Sequence, residues 1–338
     1  MSPLLSIGIT SYKRIKELER CIKSIQTKYV DDIEVIVSED CSPLSKEIGE
    51  NVNKLAKECP YLLKFMPNER NLGYDGNLGS IIKKSQGEYV FLMSDDDAFF
   101  PGFLDVLIPF IKAPENKSYG IIYAPFVYED TRRKDRNYGK DMKIGAGEAN
   151  AADHIYDSIL FSGLIFKKDY VKDFDAGSFL NMNYYQVYLF LKMIYKYGGY
   201  YFSHPSVLCV GDGENAYGLS ESSGGNALLV DRTSVLSNLE FDNTLFKVIK
   251  RFDDEEGTNV FSEFEKQYSF RSYTLMALAR TQGKPFFRDY WKKLNNHGIR
   301  IYPIARAYYY LLLLLGKKNA DRLTYIARRL AKRDEKCK

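Results

Sequence analysis

The chain has 338 residues, 45% hydrophobic and 14% aromatic, enough apolar material for one large domain and a smaller one, which excludes a disordered or fibrous protein. Lys plus Arg number 48 against 44 Asp plus Glu, so bulk charge gives no reason to expect a nucleic-acid partner. Cys21, Cys41, Cys59, Cys209 and Cys337 are scattered and form no CxxC pair, which indicates neither a disulfide framework nor a zinc site and suits a reducing cytoplasm. The first residues, "MSPLLSIGITSYKR", lack the basic flank and long apolar run of a secretion signal. Leu5 to Ile9 is a short apolar strand, and Ile15, Leu18, Ile22 and Ile25 follow at helical spacing. "IEVIVSED" is a second strand, with a helix through Val52, Leu55 and Ala56 behind it. "LLKFMP" is a third strand and Gly79 to Ser85 a helix. "YVFLMS" is a fourth strand, "PGFLDVLIPFI" a helix with Pro101 in its first turn, and "YGIIYAP" a fifth strand. This alternation predicts an α/β fold with a mostly parallel central sheet covered by helices on both faces, and a ligand outside the carboxyl ends of the strands.

The polar clusters fall at those carboxyl ends: "TSYKR" (Thr10 to Arg14), "SEDCS" (Ser38 to Ser42), "NERNLGYDGN" (Asn68 to Asn77) and "SDDD" (Ser94 to Asp97). One such cluster alone is an ordinary cap or turn. Four successive ones on one sheet edge point to a binding site.

In order and spacing over about the first 125 residues, "SIGITSYKR", "IEVIVSEDCS", "NLGYDGNLG" and "GEYVFLMSDDDAFFPGFL" resemble the nucleotide-sugar half of family 2 glycosyltransferases of the GT-A fold. The form "NLGYDGN…GEYVFLMSDDD" is similar to the bacterial branch that builds O-antigen, capsule and related surface polysaccharides. The resemblance implies a GT-A domain over residues 1–225, with a nucleotide-sugar half at 1–125 and an acceptor half at 126–225. Residues 226–338 read as a helical C-terminal region with a basic tail.

A sugar nucleotide carries a diphosphate whose charge has to be neutralised as it leaves, and a carboxylate-bound Mn²⁺ or Mg²⁺ does this. Three adjacent aspartates repel one another, and such a cation offsets the repulsion. Strand alternation predicts that Asp95 and Asp97 converge on one ligand while Asp96 points elsewhere. The family register, counted back from Pro101, aligns Asp97 with the last metal-binding aspartate and Ser94 with the first, ribose-contacting position. Asp95 and Asp96 are accordingly expected at the nucleotide sugar, and Asp95 and Asp97 at the metal. The resemblance further implies that Asp40 accepts the N3 proton of uracil or thymine, with Thr10 and Tyr12 lining the base pocket. Arg14 and Arg70 are candidate phosphate partners. Asn71, Gly73 and Asn77 would shape the loop that approaches the nucleotide, with Gly73 and Gly76 allowing close backbone contact.

Relatives carry a Glu-Asp pair facing the acceptor; counting back from Gly198 puts Gln186 and Val187 there. Neither takes a proton, so an inverting transfer needs a displaced base. Asp175 and Asp173, or Asp157 and His154, are the nearby groups; Asp175, with a turn-like "FDAGS" around it, is the expected base, and Gln186 is expected to orient the acceptor hydroxyl from its amide. The Gly, Ser and Asn-rich stretch Gly211 to Gly225 reads as a loop closing over the site. The run "YYYLLLLLG" is shorter than the roughly 20 residues of a membrane-spanning helix, so no integral segment is expected. Residues Gly316 to Lys338 hold nine Lys or Arg against three Asp or Glu, which suits peripheral contact with an anionic inner leaflet. The sequence thus implies a cytoplasmic, metal-dependent, inverting hexosyl- or deoxyhexosyltransferase that takes a UDP- or dTDP-sugar to a glycan or lipid-linked glycan. Two alternatives are a degenerate GT-A domain that binds nucleotide or scaffolds a complex, motivated by Gln186, and a sugar nucleotidyltransferase. The latter would normally carry a glycine-rich basic loop where this chain has "TSYKR".

Overall fold

The computed structural model describes residues 2–210 and 235–335. It opens with β1 (Leu5–Ser11), α1 (Ile15–Lys23), β2 (Ile33–Glu39), α2 (Ser45–Leu55), β3 (Leu62–Phe65), α3 (Gly73–Lys84) and β4 (Tyr89–Ser94). Then come β5 (Ala98–Phe99), α4 (Phe103–Lys112), β6 (Ile121–Tyr123), β7 (Phe126–Tyr128), β8 (Lys134–Asp135) and β9 (Met142–Ile144). The following elements are α5 (Glu148–His154), β10 (Leu164–Lys167), α6 (Lys168–Val171), α7 (Tyr185–Tyr197), β11 (Gly199–Tyr201) and β12 (Val207–Cys209). Helices α8 (Val235–Glu256), α9 (Val260–Arg271), α10 (Tyr273–Thr281), α11 (Lys284–Asn295) and α12 (Pro303–Glu335) complete it.

One sheet runs β3-β2-β1-β4-β10-β6-β11-β9 and a second β5-β12-β7-β8. The half made of β3, β2, β1 and β4 is parallel, with Leu5 opposite both Ile33 and Tyr89. Every residue of β2 is buried, as a strand covered on both faces requires. The sheet is mostly parallel, as expected, with β11 also parallel to β6, while β10 lies antiparallel between β4 and β6 and β9 antiparallel to β11. Regular strand and helix alternation ends after α4, and the strands that follow are too short for their direction to show in a hydrophobic pattern. Ile7, Ile9, Val35, Val37, Phe91 and Met93 form one core with Leu18 and Ile22 of α1 and Leu107 and Ile111 of α4. On the other face α3 packs directly on β1, because a Cβ at Gly8 would lie 2.1 Å from Ile81. The carboxyl ends of β1, β2 and β4 therefore share one edge.

The chain divides into two compact units, Met1–Leu229 with Lys247–Thr258, and Val230–Phe246 with Asn259–Lys338. The segment Lys247–Thr258 groups with the first unit, although the sequence reading placed 226–338 together. The buried ammonium of Lys192 in α7 holds it, at 2.8 Å from Glu255 and paired also with Glu256. The second unit is helical, with Phe246, Phe264 and Tyr268 in contact and Trp291 stacked on Tyr309. Helix α12 is broken at Gly316, whose φ of 70° suits a residue without a Cβ. Among the described residues no helix is long and apolar enough to cross a membrane. The glycine-rich stretch Gly211 to Gly225 lies outside the described residues.

Candidate functional site

β4 ends at Ser94, and Asp95 to Asp97 form a turn closed by a bond from Asp97 N to the Ser94 carbonyl (3.4 Å). Strand alternation therefore does not extend to these residues, and the expected convergence of Asp95 and Asp97 is absent: each has its own partners. Asp95 accepts from Arg14 Nη1 at 2.7 Å and from Tyr12 N at 3.3 Å. Asp96 lies 3.1 Å from the same Arg14 nitrogen and accepts from the Ser94 hydroxyl, while Arg20 donates to its carbonyl. Asp97 accepts from the Ser162 hydroxyl at 2.7 Å, with Cys209 and Val210 N also bonded to it. Arg14 is thus turned to the carboxylates rather than held ready for a phosphate, which corrects that expectation and shows how the like charges are tolerated.

Asp95 and Asp97 are each only 2% exposed. Burial pushes the Asp95 carboxyl up to about 7 even against the pull of Arg14. Burial, with Asp96 beside it, pushes Asp97 up to about 6. The two differ in compensation: Asp95 has a guanidinium, whereas among the described residues Asp97 makes no ion pair. No cluster of three or more His, Cys, Asp or Glu side chains able to hold a metal occurs among the described residues. What fits a hard cation is a single anchoring carboxylate, Asp97, buried among uncharged donors, with the remaining oxygen ligands coming from a bound diphosphate or water.

At the end of β2, Asp40 is 5% exposed. Its Oδ1 accepts from Asn68 Nδ2 (2.9 Å) and Leu72 N (2.8 Å), and Gly73 N bonds the same carboxylate. Burial raises its pKa, opposed by these bonds. Thr10 and Tyr12 are half-buried at the neighbouring end of β1. Arg70 is exposed, and Asn71 accepts from Gly73 N at 2.9 Å. Gly73 opens α3 with φ 69°. Two expectations change here. Asn77 is buried in a network with Ser38 and Asn68 and so supports the loop from beneath. A Cβ at Gly76 would lie 2.8 Å from Leu72 Cβ, so this glycine serves the packing of α3.

In the region expected to face an acceptor, Gln186 is the second residue of α7 and 1% exposed. Its Nε2 donates to the Ile159 carbonyl at 3.1 Å, so one of its two amide N–H groups is engaged; Oε1 is buried without a partner. Asp175 is exposed and caps a short 3-10 turn by accepting from Gly177 N at 2.9 Å. The inward, desolvated carboxylate expected there is not present, because the turn chemistry of "DAG" holds it at the surface. Asp173 is likewise exposed, and Val187 is buried in α7. Asp157 is buried: its Oδ2 receives Tyr138 OH (2.7 Å) and Tyr123 OH (3.0 Å) and lies 2.9 Å from His154 Nδ1. Buried Arg136 donates to the carbonyls of Leu160 and Ser162, fixing the segment that delivers Ser162 to Asp97. Ser162, Asn68 and Asp75 were not singled out in the sequence; their roles depend on partners at least 28 residues away, which no local pattern displays.

The sequence matches the family described as "Glycosyl transferase family 2" over residues 6–179. Among curated proteins it is 31% identical over 140 residues to the GalNAc(5)-diNAcBac-PP-undecaprenol beta-1,3-glucosyltransferase of Campylobacter jejuni, covering 41% of this chain and 42% of that protein. It is 28% identical over 107 residues to the putative colanic acid biosynthesis glycosyl transferase WcaA of Escherichia coli, covering 32% and 37%. The chain thus spans less than half the length of these relatives. Among solved structures it is similar to residues 1–349 of S. aureus TarS, at a TM-score of 0.56 and 15% identity over 97% of this chain and 91% of that one. TarS has also been solved with UDP and with UDP-GlcNAc. The mannosyltransferase PcManGT of Pyrobaculum calidifontis, solved with GDP-Man and Mn²⁺, has a TM-score of 0.54 at 14% identity over 96% and 84%. These likenesses establish the fold.

Proposed function

The chain belongs to glycosyl transferase family 2, and on that premise we propose that it moves a sugar, with inversion, from a UDP- or dTDP-linked donor to a hydroxyl of a glycan or lipid-linked glycan in surface-polysaccharide synthesis. The observation that carries this reading is the pair of buried carboxylates on one sheet edge, Asp40 bonded to the 68–73 loop and Asp97 without an ion pair among the described residues. Asp40 accepts the imide N–H of uracil or thymine, a charge-assisted bond that cytosine does not offer. Asp97 would hold Mn²⁺ or Mg²⁺, which when bound would neutralise the diphosphate and stabilise the leaving oxygen. Ser162 orients Asp97, and Arg14 holds Asp95 and Asp96 in place. A lipid-linked acceptor is in keeping with the name of the Campylobacter jejuni relative.

We place the protein at the cytoplasmic membrane face. The exposed residues Leu314, Tyr325 and Ile326 of α12 accompany exposed Lys317, Lys318 and Arg322, the mix that binds anionic lipid. Co-sedimentation with vesicles rich in phosphatidylglycerol, lost on reversing the three cations to Glu, checks this part.

The function is tested with a panel of UDP-, dTDP-, GDP- and CDP-sugars, following hydrolysis or transfer with Mn²⁺ and with EDTA. Metal-dependent turnover of a UDP- or dTDP-sugar is expected. A second reading, a nucleotide-binding domain without transferase activity, is favoured by one observation, the buried glutamine at position 186. Nucleotide binding with no turnover of any donor would select it.

A further inference from the structure

Helix α7 begins without a local cap. Its first residues follow Tyr184, whose side chain makes no capping bond, and the backbone just before it is strained, with Asn181 at φ 67° and Asn183 at φ 61°. The orphan N–H groups of such a helix start need acceptors. The first of them, Tyr185 N, finds one in Asp75, more than 100 residues earlier in the chain, which also gathers the N–H groups of the two residues Met182 and Asn183 that lead into the helix. Asp75 Oδ2 accepts from Met182 N at 3.0 Å and Asn183 N at 2.8 Å, and its Oδ1 from Tyr185 N at 3.0 Å. The carboxylate is 1% exposed, and a negative charge there is also matched to the helix dipole.

Asp75 stands in the first turn of α3, and that turn touches three parts of the site at once. Leu72 N, immediately before α3, donates to Asp40. The Tyr74 ring packs edge-on against Phe161, 5.5 Å between centroids, next to the Ser162 that holds Asp97. Asp75 fixes the start of α7, whose second residue is Gln186. The next turn of α3 is tight against the segment that leads to α7, since a Cβ at Gly79 would lie 2.4 Å from Ala176 Cβ.

We propose that Asp75 is a positioning residue that couples nucleotide occupancy at Asp40 to the acceptor-side helix α7. A base bonded to Asp40 stiffens the loop and first turn of α3, and through Asp75 the start of α7, so that this helix start is ordered for an acceptor only when donor is present. The proposal rests on the base-binding role given to Asp40 above.

Amide hydrogen exchange of the full chain, with and without saturating UDP and Mn²⁺, tests it. In the wild type, exchange at Asn183, Tyr185 and Gln186 should slow by about tenfold on adding UDP, the scale of a typical coupling between sites. In Asp75→Asn, whose amide cannot accept all of these N–H groups, UDP should bind within about threefold of wild type while that protection disappears. A merely structural role would leave the ligand-dependent difference intact at a faster basal rate. If Asp75→Asn does not fold, the wild type still decides: no UDP-dependent slowing at Asn183, Tyr185 and Gln186 overturns the coupling. UDP binding with equal protection in wild type and variant, or with none in either, overturns the coupling alone. If no nucleotide in the UDP, dTDP, GDP and CDP set binds the wild type, the donor reading and the coupling both fall.

Discussion

The two sides of the site are built differently. On the side proposed for the donor, Asp40 and Asp95 to Asp97 sit directly at the ends of β2 and β4, and most of their partners lie on adjacent strand ends or the loops that follow them. On the side proposed for the acceptor, Gln186 is held by the Ile159 carbonyl and the start of its helix by Asp75, neither of them at a strand end. Both sides depend on partners distant in sequence, but the first hangs its carboxylates on strand ends and the second uses contacts to position a helix. A change on the donor side should therefore remove a ligand contact, whereas a change on the acceptor side should loosen an element.

The largest effect is expected at Asp97. Because the residue is buried, the test is the isosteric Asp97→Asn, which keeps an acceptor for Ser162 but loses the charge. Nucleotide affinity in Mn²⁺ should fall by about 100-fold or more while affinity in EDTA is unchanged, as read by titration calorimetry. Equal losses in both would mean that Asp97 acts without a metal.

Next comes Asp40→Asn. Losing a charged acceptor and presenting a donor should weaken the preference for UDP over CDP by about 1 to 3 kcal/mol, measured by competition. Unchanged discrimination would remove Asp40 from the base pocket and leave the donor side without its clearest member.

The acceptor side is sharpened by a paired substitution. Asp175→Asn, at an exposed cap, should change stability by no more than about 0.5 kcal/mol and leave turnover near wild type. Asp157→Asn disturbs a carboxylate oxygen shared by Tyr123, Tyr138 and His154 and should cost about 1 to 3 kcal/mol in thermal or urea unfolding. A loss of turnover of about 100-fold or more in Asp175→Asn at unchanged stability would return Asp175 to the role of base.

The smallest effect is a pH dependence at α7. Burial opposes the ionisation of Glu255, but bonds from Lys192, Tyr188 and Arg251 overcome it and hold the group at about 2, below its ordinary 4.5. A carboxyl lowered in the folded state contributes stability that is fully present above about 4.5 and lost as the pH falls toward 2. Glu255→Gln should flatten that acid limb in unfolding scans between pH 2 and 7 and leave the donor side's metal dependence untouched.

The same contrast explains what the sequence disclosed. The first four strands and the acidic cluster after β4 were legible because each strand is a run of buried apolar residues ended by polar ones. The partners of those aspartates were not: alternation suggested that Asp95 and Asp97 converge, but the strand stops at Ser94 and the turn sends them to Arg14 and Ser162. Asp175 looked inward because nothing local distinguishes an exposed capping aspartate from a buried one. Asp75 lay unnoticed inside a quoted motif, since a cap supplied across more than 100 residues leaves no mark at the helix it caps.

The central claim is that Asp40 and Asp97 together make a pocket for a metal-bound uridine or thymidine diphosphate. Titration calorimetry of the full chain with UDP, dTDP, GDP and CDP, each with Mn²⁺ and with EDTA, measures both halves of it. The account predicts that UDP or dTDP binds at least about tenfold more tightly than GDP or CDP, and that the advantage requires Mn²⁺. Tighter binding of GDP, or UDP binding of equal strength in EDTA, would contradict it.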